Sequence, residues 1–339
     1  MAGQQDGAKR IGSFDFVKGI AIILVALTHA RIFGPLAWPL NYIIPIAVPL
    51  FFMISGYLLY RRHPNGYGIG HLAKIFWRLI AIYMVFSIVA EVMDNPSQIA
   101  NPLALAYGML VGTGGSGLYY FVPALVQMYL IFPLFARIFS NKKAVVPALV
   151  ASFAISLFFD VLTRNAQVPA WNSNQPMIAF AGRYLFYFVS GMFICLLEAE
   201  FVAKAGRKMA VAVLAGAIAA YTVCFACYEN QYSYIAFFIS PVFAFVGLEY
   251  SYPILAGTGI SRKILGIAEM LGKNSLVIYL THGYVIYLVL LPVIGWGAGN
   301  GMVYIASAAA IAISLAVSLA FNRVFKKFLI SAVPEYAPA

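Results

Sequence analysis

The chain has 339 residues, of which 63% are hydrophobic and only 10% are charged, and this composition excludes an ordinary soluble domain. A mean hydropathy of +0.88 indicates a polytopic membrane protein instead. The formal net charge of +11 would suggest nucleic-acid binding in a soluble chain. Here the basic residues are predicted to flank membrane spans, so no nucleic-acid partner is expected, and the membrane lipids are the expected surroundings.

Apolar runs of about 20 residues predict an all-α bundle of about ten transmembrane helices. The runs cover residues 14–33, 42–60, 72–91, 117–138, 144–163, 178–198, 208–227, 232–249, 274–294 and 302–322. An even number of spans places both termini on one side. If that side is the cytoplasm, all Lys and Arg except Arg31, Arg164 and Arg183 fall there. This asymmetry predicts cytoplasmic termini, and no soluble insertion interrupts the single membrane domain predicted over residues 1–339.

The first span is bracketed by ionisable residues. Lys18 and His29 are eleven residues apart, so on a helix they project from one face, about 16 Å apart along the axis. Asp15 precedes Lys18 by three residues, close enough to hold its ammonium group. Because ionisable side chains inside a membrane are costly, this face is predicted to border a functional channel.

Further cations are predicted at the cytoplasmic mouth of that channel. Lys74 and Arg78 begin the third span, and Arg61 and Arg62 end the second. Together with Lys18 they are predicted to bind a phosphate-bearing ligand. Carboxylates toward the outer surface, including Glu91 and Asp160, are interpreted as solvated helix ends, with contact to the acceptor as the alternative.

Five segments resemble, in order, the integral-membrane acyltransferase family three, the bacterial O-acyltransferases that modify glycans. They are DFVKGIAIILVALTHA, PLFFMISGYLLYR, YYFVPALVQMYLIFPLF, RYLFYFVSGM and NSLVIYLTHGYVI. The resemblance covers nearly the whole chain. It implies a multi-pass protein of the bacterial inner membrane, of the stand-alone type without an extracellular hydrolase-like domain.

The resemblance also implies site residues. His29 matches the histidine of the family's first helix that is taken to be catalytic, and the family's arginine ten residues or so before it is Lys18 here. Arg78 matches the second of two arginines in the third helix. The first of these is Ile75, with Lys74 beside it.

Two further family positions are present. Ser55 belongs to the Phe-Phe-x-x-Ser-Gly segment at Phe51, Phe52 and Gly56, and His282 matches a late histidine. Ser55 and His282 are therefore candidates for oxyanion or orienting contacts.

The predicted reaction is transfer of an acetyl group from cytosolic acetyl-CoA to a hydroxyl of an extracytoplasmic or lipid-linked glycan. His29 would act as general base, because imidazole titrates near neutral pH. The donor phosphates would bind Lys18, Arg78, Lys74 or Arg61. Tyr119, Tyr120 and Gln127 would line the acceptor side, and no metal is expected.

Two other classes of function remain open at this stage. A transporter or flippase of a glycan intermediate or small amino compound is the main alternative, although paired Gly or Pro interruptions in corresponding halves are not evident. A sensor or assembly scaffold is the third class. It is disfavoured, because such a protein would need a soluble interaction domain and the sequence predicts none.

Overall fold

The computed structural model describes most of the chain, and every regular element in the described part is helical. The described residues are 12–29, 42–94, 96, 101–113, 117–165, 175–199, 206–229, 234–256, 259–290, 292 and 300–331. All statements of structure below concern these residues.

Thirteen α-helices follow one another in the described ranges. They are α1 (Gly12–His29), α2 (Ala47–Arg62), α3 (Ile69–Asp94), α4 (Pro102–Val111), α5 (Phe121–Phe139), α6 (Lys142–Asn165), α7 (Gln175–Ile178), α8 (Leu185–Leu197), α9 (Gly206–Glu229), α10 (Tyr234–Leu255), α11 (Gly259–Lys273), α12 (Ser275–Tyr284) and α13 (Asn300–Ser331). Short 3₁₀ turns lead into three of them, at Ile44–Ile46 before α2, Leu118–Tyr120 before α5 and Ala181–Tyr184 before α8. A π-helical segment, Val285–Leu290, continues α12.

The prediction of an all-α membrane protein is confirmed, and each of the ten apolar runs contains most of one helix. Among the described residues, six helices are long and apolar enough to cross a membrane, or seven if the bent pair α11–α12 counts as one span. The number of ten spans and the side of the termini stay predictions.

Two helix pairs pack with unusually close backbones, and glycines make this possible. A Cβ on Gly19 would lie 2.0 Å from the carbonyl oxygen of Ala268, and one on Gly272 would lie 1.8 Å from that of Asp15. The first helix therefore packs directly on α11, antiparallel to it. Gly56 approaches Phe188 in the same way, which joins α2 to α8. The glycine of the Phe-Phe-x-x-Ser-Gly segment is thus explained by packing.

A sharp elbow separates α11 from α12, which are bent by 78°. Asn274 occupies the elbow, and its side-chain Nδ2 donates to the Met270 carbonyl oxygen at 2.8 Å. Its Oδ1 accepts from Ser318 Oγ and Asn322 Nδ2, each at 3.0 Å. The buried elbow is therefore fixed to α13 by side-chain hydrogen bonds. Helix α11 therefore lies between the apolar runs 232–249 and 274–294, where the sequence predicts no membrane span.

Candidate functional site

Two cavities lie one after the other along the helix α1. The Lys18 cavity has a volume of about 470 Å³, and its polar lining includes Lys18, Ser55, Arg62, His63, Tyr129, Lys273, Ser275 and Tyr279. The His29 cavity has a volume of about 370 Å³, and its polar lining includes Thr28, His29, Tyr120, Asp160, Arg183, Tyr184 and Tyr187. Both volumes fall in the range of small-molecule sites.

The two cavities adjoin, because Val25, Val48 and Tyr279 line both of them. On α1 the lining positions are Lys18, Val25, Thr28 and His29, and Lys18, Val25 and His29 are spaced by seven and four residues. These spacings keep the three side chains on one helical face. The predicted common face of Lys18 and His29 is therefore confirmed, with Val25 between them.

The Lys18 cavity begins at a buried ion pair. Asp15 is 1% exposed, and its Oδ1 lies 3.7 Å from Lys18 Nζ. The predicted Asp15–Lys18 contact is thus present. Of the pair, only Lys18 is among the described lining residues of the cavity. Asp15 therefore does not face the cavity but holds the ammonium group of Lys18 beside it.

The second helix contributes Arg62 to this cavity. Ser55 and Arg62 are seven residues apart and both line the cavity, whereas Arg61, which is exposed like Arg62, does not belong to the described lining. The structure therefore places Arg62, and not the predicted Arg61, toward the cavity. Lys273 also lines it and pairs with Glu269 at 3.7 Å. The side chains of Lys74 and Arg78 lie outside the described part of the structure, so their predicted role stays a prediction.

Ser55 lies in the Lys18 cavity and not in the His29 cavity. Its Oγ donates to the Phe51 carbonyl oxygen one turn earlier, at 2.8 Å. This bond uses the only proton of the hydroxyl. The arrangement does not bring Ser55 to His29 as an oxyanion donor.

His29 meets His282 at the far end of α1. The two ring centroids are 5.2 Å apart, and the ring planes are inclined by 46°. His29 is half-buried and lines the cavity, whereas His282 is fully buried behind it. Residues 253 positions apart in sequence are therefore neighbours in the site.

Hydrogen bonds fix the tautomer of a neutral His282. Its Nδ1 lies 2.7 Å from the carbonyl oxygen of Tyr279 and 3.2 Å from that of Ile278. Carbonyl oxygens only accept, so Nδ1 carries the proton and Nε2 has a free lone pair. This Nε2 is buried and has no hydrogen-bond partner among the described residues.

Two tyrosines connect α12 to the 3₁₀ turn before α5 in a reciprocal manner. The hydroxyl of Tyr119 donates to the Leu280 carbonyl oxygen, and that of Tyr279 donates to the Leu118 carbonyl oxygen. Tyr279 also accepts from the backbone N–H of Phe121, at 3.4 Å. Tyr119, predicted to line the acceptor side, is thus a buried positioning residue for α12.

The other two predicted acceptor residues differ from each other. Tyr120 lines the His29 cavity and stacks on Tyr184 with ring centroids 6.1 Å apart, and its role toward an acceptor stays a prediction. Gln127 is not among the described residues that line the His29 cavity. Its Nε2 donates to Ala179 at 2.9 Å, and its Oε1 accepts from Ala181 N–H at 3.1 Å. Gln127 therefore anchors the turn that leads to Arg183.

The His29 cavity is also lined by an ion pair that sequence reasoning did not find. Arg183 Nε donates to Asp160 Oδ1 at 2.8 Å, and the guanidinium lies 5.5 Å from the centre of the Tyr184 ring. The interpretation of Asp160 as a solvated helix end is wrong, because this side chain is buried and paired. Glu91 is likewise buried and accepts from Thr113.

The sequence contains one signal for choosing between the two predicted arginines and another for the missed ion pair. Arg62 shares a helical face with Ser55, since seven residues make two turns, whereas Arg61 is rotated by about 100°. Asp160 and Arg183 are charges inside apolar runs, and such charges in a membrane usually pair with one another.

The comparison with known proteins agrees with this architecture. The profile of acyltransferase family 3, described as an acyltransferase domain, matches residues 11–323. No curated protein matches the chain significantly. The chain therefore belongs to acyltransferase family 3, and the helices and the family together define a membrane acyltransferase.

Proposed function

We propose that this membrane acyltransferase moves an acetyl group from acetyl-CoA, bound in the Lys18 cavity, to a hydroxyl of a glycan or lipid-linked sugar in the His29 cavity. The membrane would be the bacterial plasma membrane, with the Lys18 cavity toward the cytosol. The observation that carries the proposal is that one face of α1 presents a cation to one cavity and an imidazole to the adjoining one.

The donor side is supported by charge. Lys18, Arg62 and Lys273 line the same cavity, and their positive charges suit the phosphates of acetyl-CoA. The buried carboxylate of Asp15 keeps Lys18 in place, at 3.7 Å. The pantetheine arm would then extend along α1 toward His29, over an axial distance of about 16 Å.

The acceptor side is supported by the chemistry of the His29 cavity. Tyr120 and Tyr184 offer stacked aromatic rings, and Arg183 and Asp160 offer charged hydrogen-bonding groups at 2.8 Å from each other. A sugar presents both apolar ring faces and hydroxyl groups, so this combination suits it. We expect Tyr120, Tyr184 and Arg183 to position the acceptor hydroxyl beside His29.

His29 would remove the proton from the acceptor hydroxyl as its oxygen attacks the thioester carbonyl carbon. A carbon–oxygen bond forms and, as the tetrahedral intermediate collapses, the carbon–sulfur bond breaks. The electron pair leaves with sulfur, and the proton on His29 passes to the thiolate. The products are the acetylated acceptor and CoA with a free thiol.

Of the two roles considered for His282, the geometry favours the orienting one. In the neutral ring Nε2 carries no proton, so it cannot donate to an oxyanion. It can accept from a ring N–H of His29, and the centroid separation of 5.2 Å places the rings side by side. That contact would leave the other nitrogen of His29 as the acceptor that faces the substrate.

The test uses the purified full-length chain in lipid nanodiscs with radiolabelled acetyl-CoA and envelope glycan from cells that lack the protein. We expect label in the glycan and release of CoA thiol. His29→Ala and His29→Gln should lower kcat by about 10²-fold or more, since general-base catalysis contributes about 10²–10⁴.

Folding of both variants is checked by their melting temperatures and elution profiles. Undiminished transfer by well-folded His29→Ala would overturn the role of His29. An intact thioester in this assay, together with movement of unmodified glycan across the bilayer of sealed proteoliposomes, would indicate the carrier function instead.

A further inference from the structure

The charges that line the two cavities are balanced differently. Lys18 and Lys273 line the Lys18 cavity, whereas the carboxylates that pair with them do not belong to its described lining. That cavity therefore presents net positive charge, which suits a phosphate-bearing donor. In the His29 cavity, by contrast, a cation and its carboxylate partner both belong to the lining.

The pair in the His29 cavity consists of Arg183 and Asp160. Arg183 Nε donates to Asp160 Oδ1 at 2.8 Å, and the two side chains are 19% and 7% exposed. Their opposite charges cancel, His29 in its neutral form adds no charge, and the described lining contains no other charged side chain. We propose that the acceptor is a neutral sugar whose adjacent hydroxyl groups bind this ion pair, an inference that rests on the proposed function and names its substrate class.

The 3₁₀ turn before α8, which carries the arginine, is already anchored by neutral groups. Ser156 Oγ donates to the Gly182 carbonyl oxygen and accepts from the Phe186 N–H, each at 2.8 Å. Gln127 Oε1 accepts from the Ala181 N–H of the same turn at 3.1 Å. A buried ion pair adds little stability, because the cost of desolvating two charges offsets much of their attraction. The place of the pair in the cavity lining is therefore better explained by contact with a ligand.

A carboxylate beside a guanidinium offers an acceptor and a donor to two neighbouring hydroxyl groups. The bond between Arg183 and Asp160 uses one of several donors of the guanidinium and one of several lone pairs of the carboxylate. One sugar hydroxyl can donate to Asp160 while the next accepts from Arg183, because adjacent ring hydroxyls lie about one hydrogen-bond length apart. The rings of Tyr120 and Tyr184 line the same cavity and suit the apolar face of the sugar.

An anionic sugar fits this arrangement less well. Its carboxylate would be attracted by Arg183 but repelled by Asp160, which lies at 2.8 Å from the arginine Nε. The cost of removing the ligand charge from water is then not offset, since the guanidinium is already paired. A neutral sugar leaves the two protein charges compensated. The ion pair thus favours neutral acceptors partly by rejecting charged ones.

The experiment measures sugar binding apart from acetyl transfer, on the full-length chain in lipid nanodiscs. Two matched pairs of probes are used, methyl glucoside with methyl glucuronide and methyl galactoside with methyl galacturonide, and ligand-detected NMR gives each Kd. The wild-type chain should bind the neutral member of at least one pair roughly tenfold more tightly than its anionic partner. Tighter binding of the anionic members, or binding of none of the four probes, would overturn the proposal.

Variants of the ion pair should shift this preference in opposite directions. Asp160→Asn leaves the arginine uncompensated and should shift the ratio of the two Kd values by roughly tenfold or more toward the anionic sugar. Arg183→Gln leaves the carboxylate uncompensated and should shift the ratio toward the neutral sugar. Glu91→Gln is the matched control, because Glu91 is also a buried carboxylate near the end of a long helix but does not belong to the described lining. It should keep the wild-type ratio.

Melting temperatures identify the variants that fold. If Asp160→Asn or Arg183→Gln folds and keeps the wild-type ratio of Kd values, the ion pair does not select the acceptor and the proposal is overturned. If neither variant folds, the wild-type ratio decides. Binding of the neutral sugar without any acetyl transfer from acetyl-CoA to envelope glycan would contradict the proposed function and leave the sugar site in place, so the two failures are distinguishable.

Discussion

Arg61 and Arg62 are adjacent at the end of α2, but only Arg62 is directed toward the Lys18 cavity in the described structure. A phosphate held by a guanidinium gains charge-assisted hydrogen bonds, each worth about 1.5–3 kcal/mol net. We therefore expect Arg62→Ala to raise the KM for acetyl-CoA roughly tenfold or more, with a smaller change in kcat.

Arg61→Ala is the matched control, because it removes the same charge one residue away. Initial rates at varied acetyl-CoA concentration would measure both variants. Equal increases in KM for the two variants would indicate a general effect of positive charge at this surface and would contradict a specific contact of Arg62.

His282 should act on kcat and not on donor binding. It is buried behind His29 and is not among the described lining residues of the Lys18 cavity, and its Nδ1 is bound to backbone oxygens. We expect His282→Ala to lower kcat by about 10²-fold while the KM for acetyl-CoA changes less than about twofold, because misplacement of a reacting group by 1 Å costs about that much. Steady-state kinetics on protein of verified melting temperature would measure this.

A different outcome would assign His282 another role. If KM for acetyl-CoA rose in parallel with the loss of kcat, the substitution would have disturbed the whole bundle. If activity were unchanged, the orienting role would be wrong.

At the level of elements, the contact of α1 with α11 depends on glycine. A Cβ on Gly272 would lie 1.8 Å from the Asp15 carbonyl oxygen, whereas one on Gly266 of the same helix meets no atom within 4 Å. We expect Gly272→Ala to lower the free energy of unfolding by about 1–3 kcal/mol or more, through forced separation of the two helices. Gly266→Ala should be neutral or stabilising by up to about 1 kcal/mol, because alanine favours the helix.

Thermal unfolding of the two variants in the same detergent would compare them directly. Equal melting temperatures would show that α1 and α11 are not packed as described. Loss of donor binding in Gly272→Ala is a further expected consequence, since Gly272 also lines the Lys18 cavity.

The sequence predicted the elements better than their contacts. Long apolar runs identify helices because hydrophobicity is a local property, and the eleven-residue spacing of Lys18 and His29 fixes a common face by helix geometry alone. The use of residues 259–273 as a packed helix was missed, because the glycines that allow the close approach do not lengthen an apolar run.

The site was predicted in part for a similar reason. His29 and Tyr120 line the predicted cavity, but Gln127 and Tyr119 bind backbone atoms that no pattern of side chains reveals. Asp160 and Arg183 are separated by 23 residues, and their ion pair depends on how α6 meets the turn before α8. Tertiary packing determines which distant charged side chains form ion pairs, and this packing cannot be derived from a single sequence.

At the scale of the whole molecule, the ten-span topology makes a prediction that labelling can check. In a variant without native cysteines, single cysteines at Asn65 and Asn141 should react with a membrane-impermeant maleimide only in inside-out vesicles. A cysteine at Ser97, in the connection after α3, should react only in right-side-out vesicles. Labelling of Asn65→Cys and Ser97→Cys from the same side would contradict this topology.

The elbow at Asn274 has a consequence for how the protein treats its donor. Lys273 and Ser275 flank the elbow in one cavity, and His282 lies two turns further along α12 beside the other. The three side-chain hydrogen bonds of Asn274 hold the elbow rigid, so the charged end and the reacting end of the site keep a constant separation. In the proposed reaction, this constant separation would set the length of donor that can react. A thioester on a shorter carrier arm would then not reach the imidazole, however tightly its phosphates were bound.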